Sequence, residues 1–268
     1  MRAQTIMQTI AGVAATGILV TALISVAAGD TAPPAPSASP AASVTTQSAA
    51  ADAESLVREL AATHRNAWSW RQPVVRWQDD GDGPAEVRAT SGAFVAAVLR
   101  RAFHLSADDG RKLWGDADPD AERFELLIER SQGGFSPLAA GAIQPGDVIA
   151  SRVLPGATGL PYAGIVDDVP RPVRGGGDLG QAYDLKVIDV AMRGHGSGDT
   201  RLKGASGAGV GTLRFFVSSN GDLSGYAWSA AWPYDPGDAT FQPSSDRPVA
   251  VGRFSPVGAI PFPKPTGK

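Results

Sequence analysis

Residues 87–103, with the sequence VRATSGAFVAAVLRRAF, carry the clearest helix signal in the chain. The apolar residues of this stretch recur at the spacing of one helical face, and they are Phe94, Val95, Val98, Leu99 and Ala102. A hydroxyl residue precedes them, so Thr90 or Ser91 is predicted to cap the first turn. Arg100 and Arg101 suit the negative end of the helix dipole. The stretch is therefore predicted to be a buried amphipathic helix.

Further helix signals flank this segment. Residues 52–68 place leucines at helical spacing. Residues 118–130 predict another helix, with Asp118 as its cap and Pro119 in its first turn. Residues 76–88 are polar and Gly-rich, which predicts a loop.

After residue 140 the pattern changes to short β-rich runs between clusters of Gly, Pro, Asn and Asp. The runs are residues 146–151, 162–168, 185–192, 211–217, 223–229 and 248–254. The sequence SSNGD at residues 218–222 predicts a hairpin turn, because Asn-Gly favours the tight turns that join antiparallel strands. Helices followed by an antiparallel sheet indicate the α+β class.

The composition excludes several classes of function. The chain has 268 residues, a formal net charge of −3 and 43% hydrophobic residues, which is typical of a globular domain without a nucleic-acid partner. It has no cysteine, so disulfides, cysteine-ligated metals and a cysteine nucleophile are excluded. His64, His104 and His195 lie far apart without metal-ligand spacing. Neither a metal nor a cofactor is expected.

The N-terminal residues look like a targeting segment followed by a spacer. Residues 1–29 combine an early arginine with a long apolar run, which predicts a signal peptide or an uncleaved membrane anchor. Residues 30–51 are rich in Pro, Ala and Ser and are predicted to be a flexible linker. The folded domain is then residues 52–268. It is expected to be secreted or anchored to the outer face of the cytoplasmic membrane, with no other membrane contact.

Two sets of polar residues are candidates for chemistry. Ser91 has the position of a nucleophile at a helix N-terminus, although a nucleophile needs a base within reach and a plain helix cap is the favoured interpretation. Asp189 and His195 have the residue types of an orienting carboxylate and a base. The favoured alternative there is a solvated surface loop held by Asp199 and Arg201.

Glycines and tryptophans offer two weaker signals. Gly207, Gly209 and Gly211 hint at a phosphate loop, but their spacing is wrong for one and a flexible turn is favoured. Several tryptophans are candidates for a glycan groove, with core packing as the favoured alternative for most of them. They are Trp68, Trp70, Trp77, Trp228 and Trp232.

Three stretches, in order, resemble motifs of the NlpC/P60 family of papain-like hydrolases. TSGAFVAAVL at residues 90–99 is similar to the family's D-C-S-G-F-V helix start, and IQPGDVIA at residues 143–150 is similar to its L-x-P-G-D-L strand entry. YAGIV at residues 162–166 is similar to its H-V-G-I-Y strand, and VIDVA at residues 187–191 falls where the family has its third polar residue. The resemblance covers about residues 85–254. It implies a papain-like fold, with N-terminal helices packed on an antiparallel sheet, and an activity on bacterial wall peptides.

Carried over by position, the family's cysteine becomes Ser91, its histidine becomes Tyr162 and its third group becomes Asp189. A serine needs a base to become a nucleophile, and tyrosine is mostly protonated at neutral pH. The resemblance therefore implies a catalytically impaired relative, which binds peptidoglycan or another wall peptide, glycan or protein of the cell envelope. An active hydrolase that uses Ser91, His195 and Asp189 is the alternative. A third possibility is an interaction module whose groove is filled by Tyr162.

Overall fold

The structure, a computed structural model, describes residues 41–81, 83–174, 176–230 and 241–257. The described residues form four helices, which are α1 (Ala41–Leu60), α2 (Ser91–Ala102), α3 (Ala107–Trp114) and α4 (Ala121–Glu129). They form twelve strands, which are β1 (Asn66–Trp68), β2 (Val74–Arg76), β3 (Glu86–Ala89), β4 (Phe135–Pro137), β5 (Val148–Ser151), β6 (Tyr162–Val166), β7 (Arg171–Val173), β8 (Gln181–Ala191), β9 (Gly207–Val217), β10 (Leu223–Ala227), β11 (Phe241–Pro243) and β12 (Val249–Phe254).

The strands make one large sheet and one small one. The large sheet runs in the order β11-β10-β9-β8-β6-β5-β12-β4, with β7 paired to β8, and all its pairs are antiparallel. The small sheet has the order β1-β3-β2. The Asn66 side chain ties it to the large sheet, because its amide exchanges two hydrogen bonds with the backbone of Ala208.

Alternation along the central strands separates two cores. On one face of the sheet, Ala163, Ile165 and Ile188 pack against the buried faces of the helices. The opposite face carries a second apolar cluster that is built from the strands themselves, with Tyr162 and Val187 among its members. The register pairs Gly164 with Asp189 and Asp189 with Gly209, so these positions also lie on the second face.

The α+β class is confirmed. The predicted apolar face of α2 is also confirmed, since its five listed residues are all buried. Its cap is Thr90, whose hydroxyl accepts a hydrogen bond from the Ala93 amide at 3.3 Å. The SSNGD turn joins β9 to β10 as predicted, with Gly221 in the left-handed region. No helix in the described part of the chain is both long enough and apolar enough to cross a membrane.

Several predictions of local structure are corrected. Helix α1 begins at Ala41, so the second half of the predicted spacer 30–51 is helical, and its Ala49 and Ala50 are buried. The predicted loop 76–88 contains most of strand β3, whose pairing with β1 and β2 was not visible locally. Helix α4 is capped by Asp120, while Asp118 instead pairs with an arginine of α2. Helix α3, with a capping box from Ser106, was not predicted. The predicted leader 1–29 lies outside the described residues.

Candidate ligand groove and buried charge network

Ser91 occupies the first turn of α2, where the helix meets the large sheet. The side chain is 5% exposed, and its Oγ accepts a hydrogen bond from the Ala163 amide of β6 at 3.2 Å. Because Thr90 makes the capping hydrogen bond, Ser91 is not the cap that its sequence position suggested. Its hydroxyl instead fastens the helix start to the central strand.

Tyr162 begins β6 next to this contact and is 4% exposed. Burial, followed by the negative charge of Asp189, raises the pKa of its hydroxyl well above the usual range. The hydroxyl lies near the Asp189 carboxylate, but it does not meet the geometry of a hydrogen bond with any described residue. Tyr162 is therefore a protonated phenol and cannot remove a proton from Ser91.

Asp189 and His195 form the pair that the sequence proposed. The Nε2 atom of His195 lies 2.7 Å from the Asp189 carboxylate, and its Nδ1 lies 2.7 Å from the backbone carbonyl oxygen of Trp228. The imidazole stacks on the Trp228 indole, with ring centroids 4.1 Å apart. Both side chains of the pair are fully buried. The rest of the 193–201 segment is largely the surface loop that was favoured from sequence, since most of its residues are exposed and Asp199 pairs with Arg201.

Arg201 completes this network. Its guanidinium contacts the Asp189 carboxylate and lies 2.7 Å from Asp199, and both of its own partners are buried. Asp199 also accepts a hydrogen bond from the His195 amide at 2.8 Å. Although burial alone would raise the pKa of the Asp189 carboxyl, the positive charges of His195 and Arg201 outweigh it and hold this pKa below its ordinary value.

Glycines of β9 form the floor on which the network rests. Gly209 and Gly211 are strand residues, so neither a phosphate loop nor a flexible turn exists here. A Cβ atom at Gly209 would lie 2.6 Å from Arg201, and one at Gly211 would lie 2.5 Å from both His195 and Asp199. These glycines are required because the charged side chains lie directly on the backbone of β9.

A groove of about 530 Å³ opens beside Ser91. Its walls are rich in aromatic rings, and they include Trp68, Tyr162, Tyr226, Trp228 and Phe241. Arg193 and Met192 lie on its rim and are exposed, and Trp70 extends the aromatic surface by an edge-to-face contact with Trp68. An open groove at Ser91 counts against a module whose groove is filled by Tyr162.

The tryptophans divide between the groove and the core. Trp68 and Trp228 are half-buried groove residues, whereas Trp77 belongs to the core under α1. Trp70 is 76% exposed, and Trp232 lies outside the described residues.

The structure thus brings Tyr162, Asp189 and His195 together, and it places Ser91 and Tyr162 on one groove. It does not join His195 to Ser91, because among the described residues both ring nitrogens bond to Asp189 and Trp228 and the serine hydroxyl bonds to Ala163. The described residues contain no group of three potential metal ligands. What this arrangement can do is bind a ligand over aromatic rings, beside the charged lining residues Arg193, Arg247 and Asp246.

No family model matches the chain, and no solved structure matches it. An uncharacterized protein of Acanthamoeba polyphaga mimivirus is 27% identical over an alignment of 177 residues, which covers 60% of this chain and 75% of the viral protein.

Proposed function

We propose that this chain is a papain-like domain of the NlpC/P60 type that acts outside the cytoplasm, binds peptidoglycan in the groove beside Ser91, and does not hydrolyse it. The α+β fold supports this proposal, because the helix that begins at Ser91 packs on the central strands of an antiparallel sheet. The order of the elements also agrees with the family, since β6 and β8 are neighbours that carry Tyr162 and Asp189.

The single observation that carries the absence of hydrolysis is the hydrogen bonding around Ser91. A serine nucleophile needs a base within hydrogen-bond reach. Tyr162 is held protonated, and His195 is engaged on both ring nitrogens by other groups. Without a base at this site, the Ser91 hydroxyl is a structural hydrogen-bond acceptor.

The lining of the groove supports a ligand that is partly apolar and partly anionic. Aromatic faces pack well against the apolar faces of sugar rings and against alkyl side chains. Arg193 is exposed on the rim, where a guanidinium can bind a carboxylate in a bidentate manner. Peptidoglycan combines sugar rings, alkyl side chains and peptide carboxylates in a single polymer.

A co-sedimentation assay with the purified full chain and isolated peptidoglycan tests this function. We expect the protein to sediment with the polymer and to release no soluble fragments. The R193A variant should bind less, whereas R111A, which removes an exposed arginine of α3 outside the groove, should bind normally.

Soluble fragments that disappear in both S91A and H195A would instead establish the hydrolase that uses Ser91, His195 and Asp189. Unchanged sedimentation of R193A would remove the groove from the proposal. A chain that does not sediment at all would contradict peptidoglycan as the ligand.

A further inference from the structure

The imidazole of His195 lies between two hydrogen-bond acceptors. A backbone carbonyl oxygen, here that of Trp228, has no proton to give, and it lies 2.7 Å from Nδ1. The Asp189 carboxyl lies 2.7 Å from Nε2 and also contacts the buried Arg201 guanidinium, so it is a carboxylate and also only accepts. Both ring nitrogens must therefore donate, and only the imidazolium can do so.

The charges around the ring agree with an imidazolium. The groups that face it are Asp189 from β8, Asp199 and Arg201 from its own segment, and Tyr162 from β6, whose ring centroid is 6.1 Å away. β9 presents only glycine at this point, and β10 is followed by the uncharged indole of Trp228. With His195 protonated, two cations balance two carboxylates in a buried site, as the low dielectric requires.

The stacked indole adds a third favourable contact for the charged ring. Aromatic faces attract cations at this distance, and most strongly when the pair is removed from water. The Trp228 indole nitrogen also donates to the Gly194 carbonyl at 3.1 Å, so Trp228 and the 193–201 segment hold each other at two points. Trp228 is at the same time a wall of the groove.

We propose that protonated His195 is a latch that holds Trp228 in the wall of the groove, so that loss of one ring proton removes one of the two hydrogen bonds that hold Trp228, loosens the indole and weakens ligand binding. The identity of the ligand rests on the function proposed above, whereas the latch itself does not. The proton that leaves to solvent is the one on Nδ1, because the Nε2 proton is shared with a carboxylate and is held more strongly. The Nδ1 lone pair then faces the lone pairs of the Trp228 carbonyl, and the attraction between cation and indole is lost.

The first test follows the ring nitrogens of His195 by NMR in the full chain while the pH is raised. We expect two protonated nitrogens at low pH and a single deprotonation, at Nδ1. Tryptophan emission should change in the same pH interval in the wild-type chain and not in W228F. A ring that is singly protonated while its contact with the Trp228 carbonyl persists would overturn the latch.

The second test uses H195Q, which cannot donate to both acceptors, with H64Q as the matched control at an exposed histidine. H195Q should lose the pH-dependent change in emission, and H64Q should keep it. If H195Q does not fold, the NMR titration of the wild-type chain decides alone. A pH-dependent emission change that survives in folded H195Q would refute the proposal.

A binding experiment distinguishes a failure of the latch from a wrong choice of ligand. Sedimentation with peptidoglycan should weaken about tenfold across the same pH interval, which is the size expected for one lost charge-assisted hydrogen bond. If the NMR and emission changes occur but the chain binds no peptidoglycan at any pH, the latch stands and the ligand is wrong. If binding occurs with no pH dependence while Nδ1 deprotonates, the latch does not control the groove and the proposal fails.

Discussion

The hydroxyl of Ser91 accepts a hydrogen bond from the backbone amide of Ala163, across 72 residues of sequence. This bond joins the start of α2 to the central strand of the large sheet. Ser91, which the sequence resemblance places at a nucleophile position, is thus expected to have a structural function.

Replacement of Ser91 by alanine tests this function. The S91A variant leaves the buried Ala163 amide without its acceptor, so the free energy of unfolding should fall by about 1–3 kcal/mol. Denaturant unfolding measures the loss. The control is S136A, at an exposed serine of β4, which should change the same quantity by less than about 0.5 kcal/mol. Equal values for the two variants would show that the hydrogen bond contributes nothing to stability.

Replacement of Asp189 by asparagine tests the buried network. D189N leaves His195 and Arg201 short of a compensating carboxylate in a fully buried site, so the loss should be about 3–5 kcal/mol. The control, D108N, breaks an exposed pair with Arg111 within α3 and should cost about 1 kcal/mol or less.

The pH dependence of D189N has a definite sign. The pKa of Asp189 is lowered in the folded chain from its ordinary value of 3.8. Its contribution is therefore present above about pH 4 and disappears as the pH falls through the folded value. The difference between wild type and D189N should shrink on acidification, and a difference that grows would contradict this assignment.

Replacement of Gly211 by alanine tests how closely the charged network packs on β9. The new methyl group would meet His195 and Asp199 at 2.5 Å, so G211A should destabilise the fold by about 1–3 kcal/mol. G141A is the matched control, because no atom lies within 4 Å of its added carbon and its backbone is not left-handed. Thermal unfolding of both variants gives the comparison. An unaffected melting temperature in G211A would mean that the charged segment is not packed on β9.

Glutamine at Glu125 tests a second buried carboxyl, in α4. Burial raises the pKa of Glu125 from 4.5 to about 7, and the attraction of Arg152, 3.1 Å away, offsets this only in part. The folded chain therefore keeps a proton that the unfolded chain has already lost, and stability falls as the pH rises through this interval. E125Q should be more stable than wild type by roughly 1–3 kcal/mol at about pH 8 and similar to it at about pH 4.

The control for this prediction is E129Q, which removes an exposed carboxyl of the same helix that contacts the same arginine. Its stability should follow that of the wild type at both pH values. A parallel gain in E129Q would assign the effect to Arg152 rather than to the burial of Glu125.

The sequence was most informative where the signal is local. The apolar period of α2, the β-rich runs and the Asn-Gly turn all predicted their elements, because each depends on neighbours within one element. Strand β3 escaped notice since its pairing with β1 and β2 is what defines it. The prediction for residues 118–130 placed the helix cap two residues too early, because Asp118 and Asp120 carry the same type of side chain.

The candidate site was predictable only in part. Asp189 and His195 were paired from their residue types, but the role of Arg201 as their partner was not foreseen. The available signal was the alternation of glycine with alanine and valine over residues 207–211, which is the period of a strand with one bare face. A glycine-rich stretch resembles a turn until the side chains that cover it are known, and those come from a different segment of the chain.

The paired hydrogen bonds between Asn66 and Ala208 also have a consequence for the order of folding. They close a loop of 142 residues, whereas β8 and β9 can pair after a far shorter one. Contacts of such separation carry a large entropic cost and form late. Trp68 lies two residues after Asn66 and lines the groove. Its indole therefore reaches its position in the groove only after β9 has formed. A chain emerging from the ribosome therefore has no complete binding surface until Phe241, which also lines the groove, has been made.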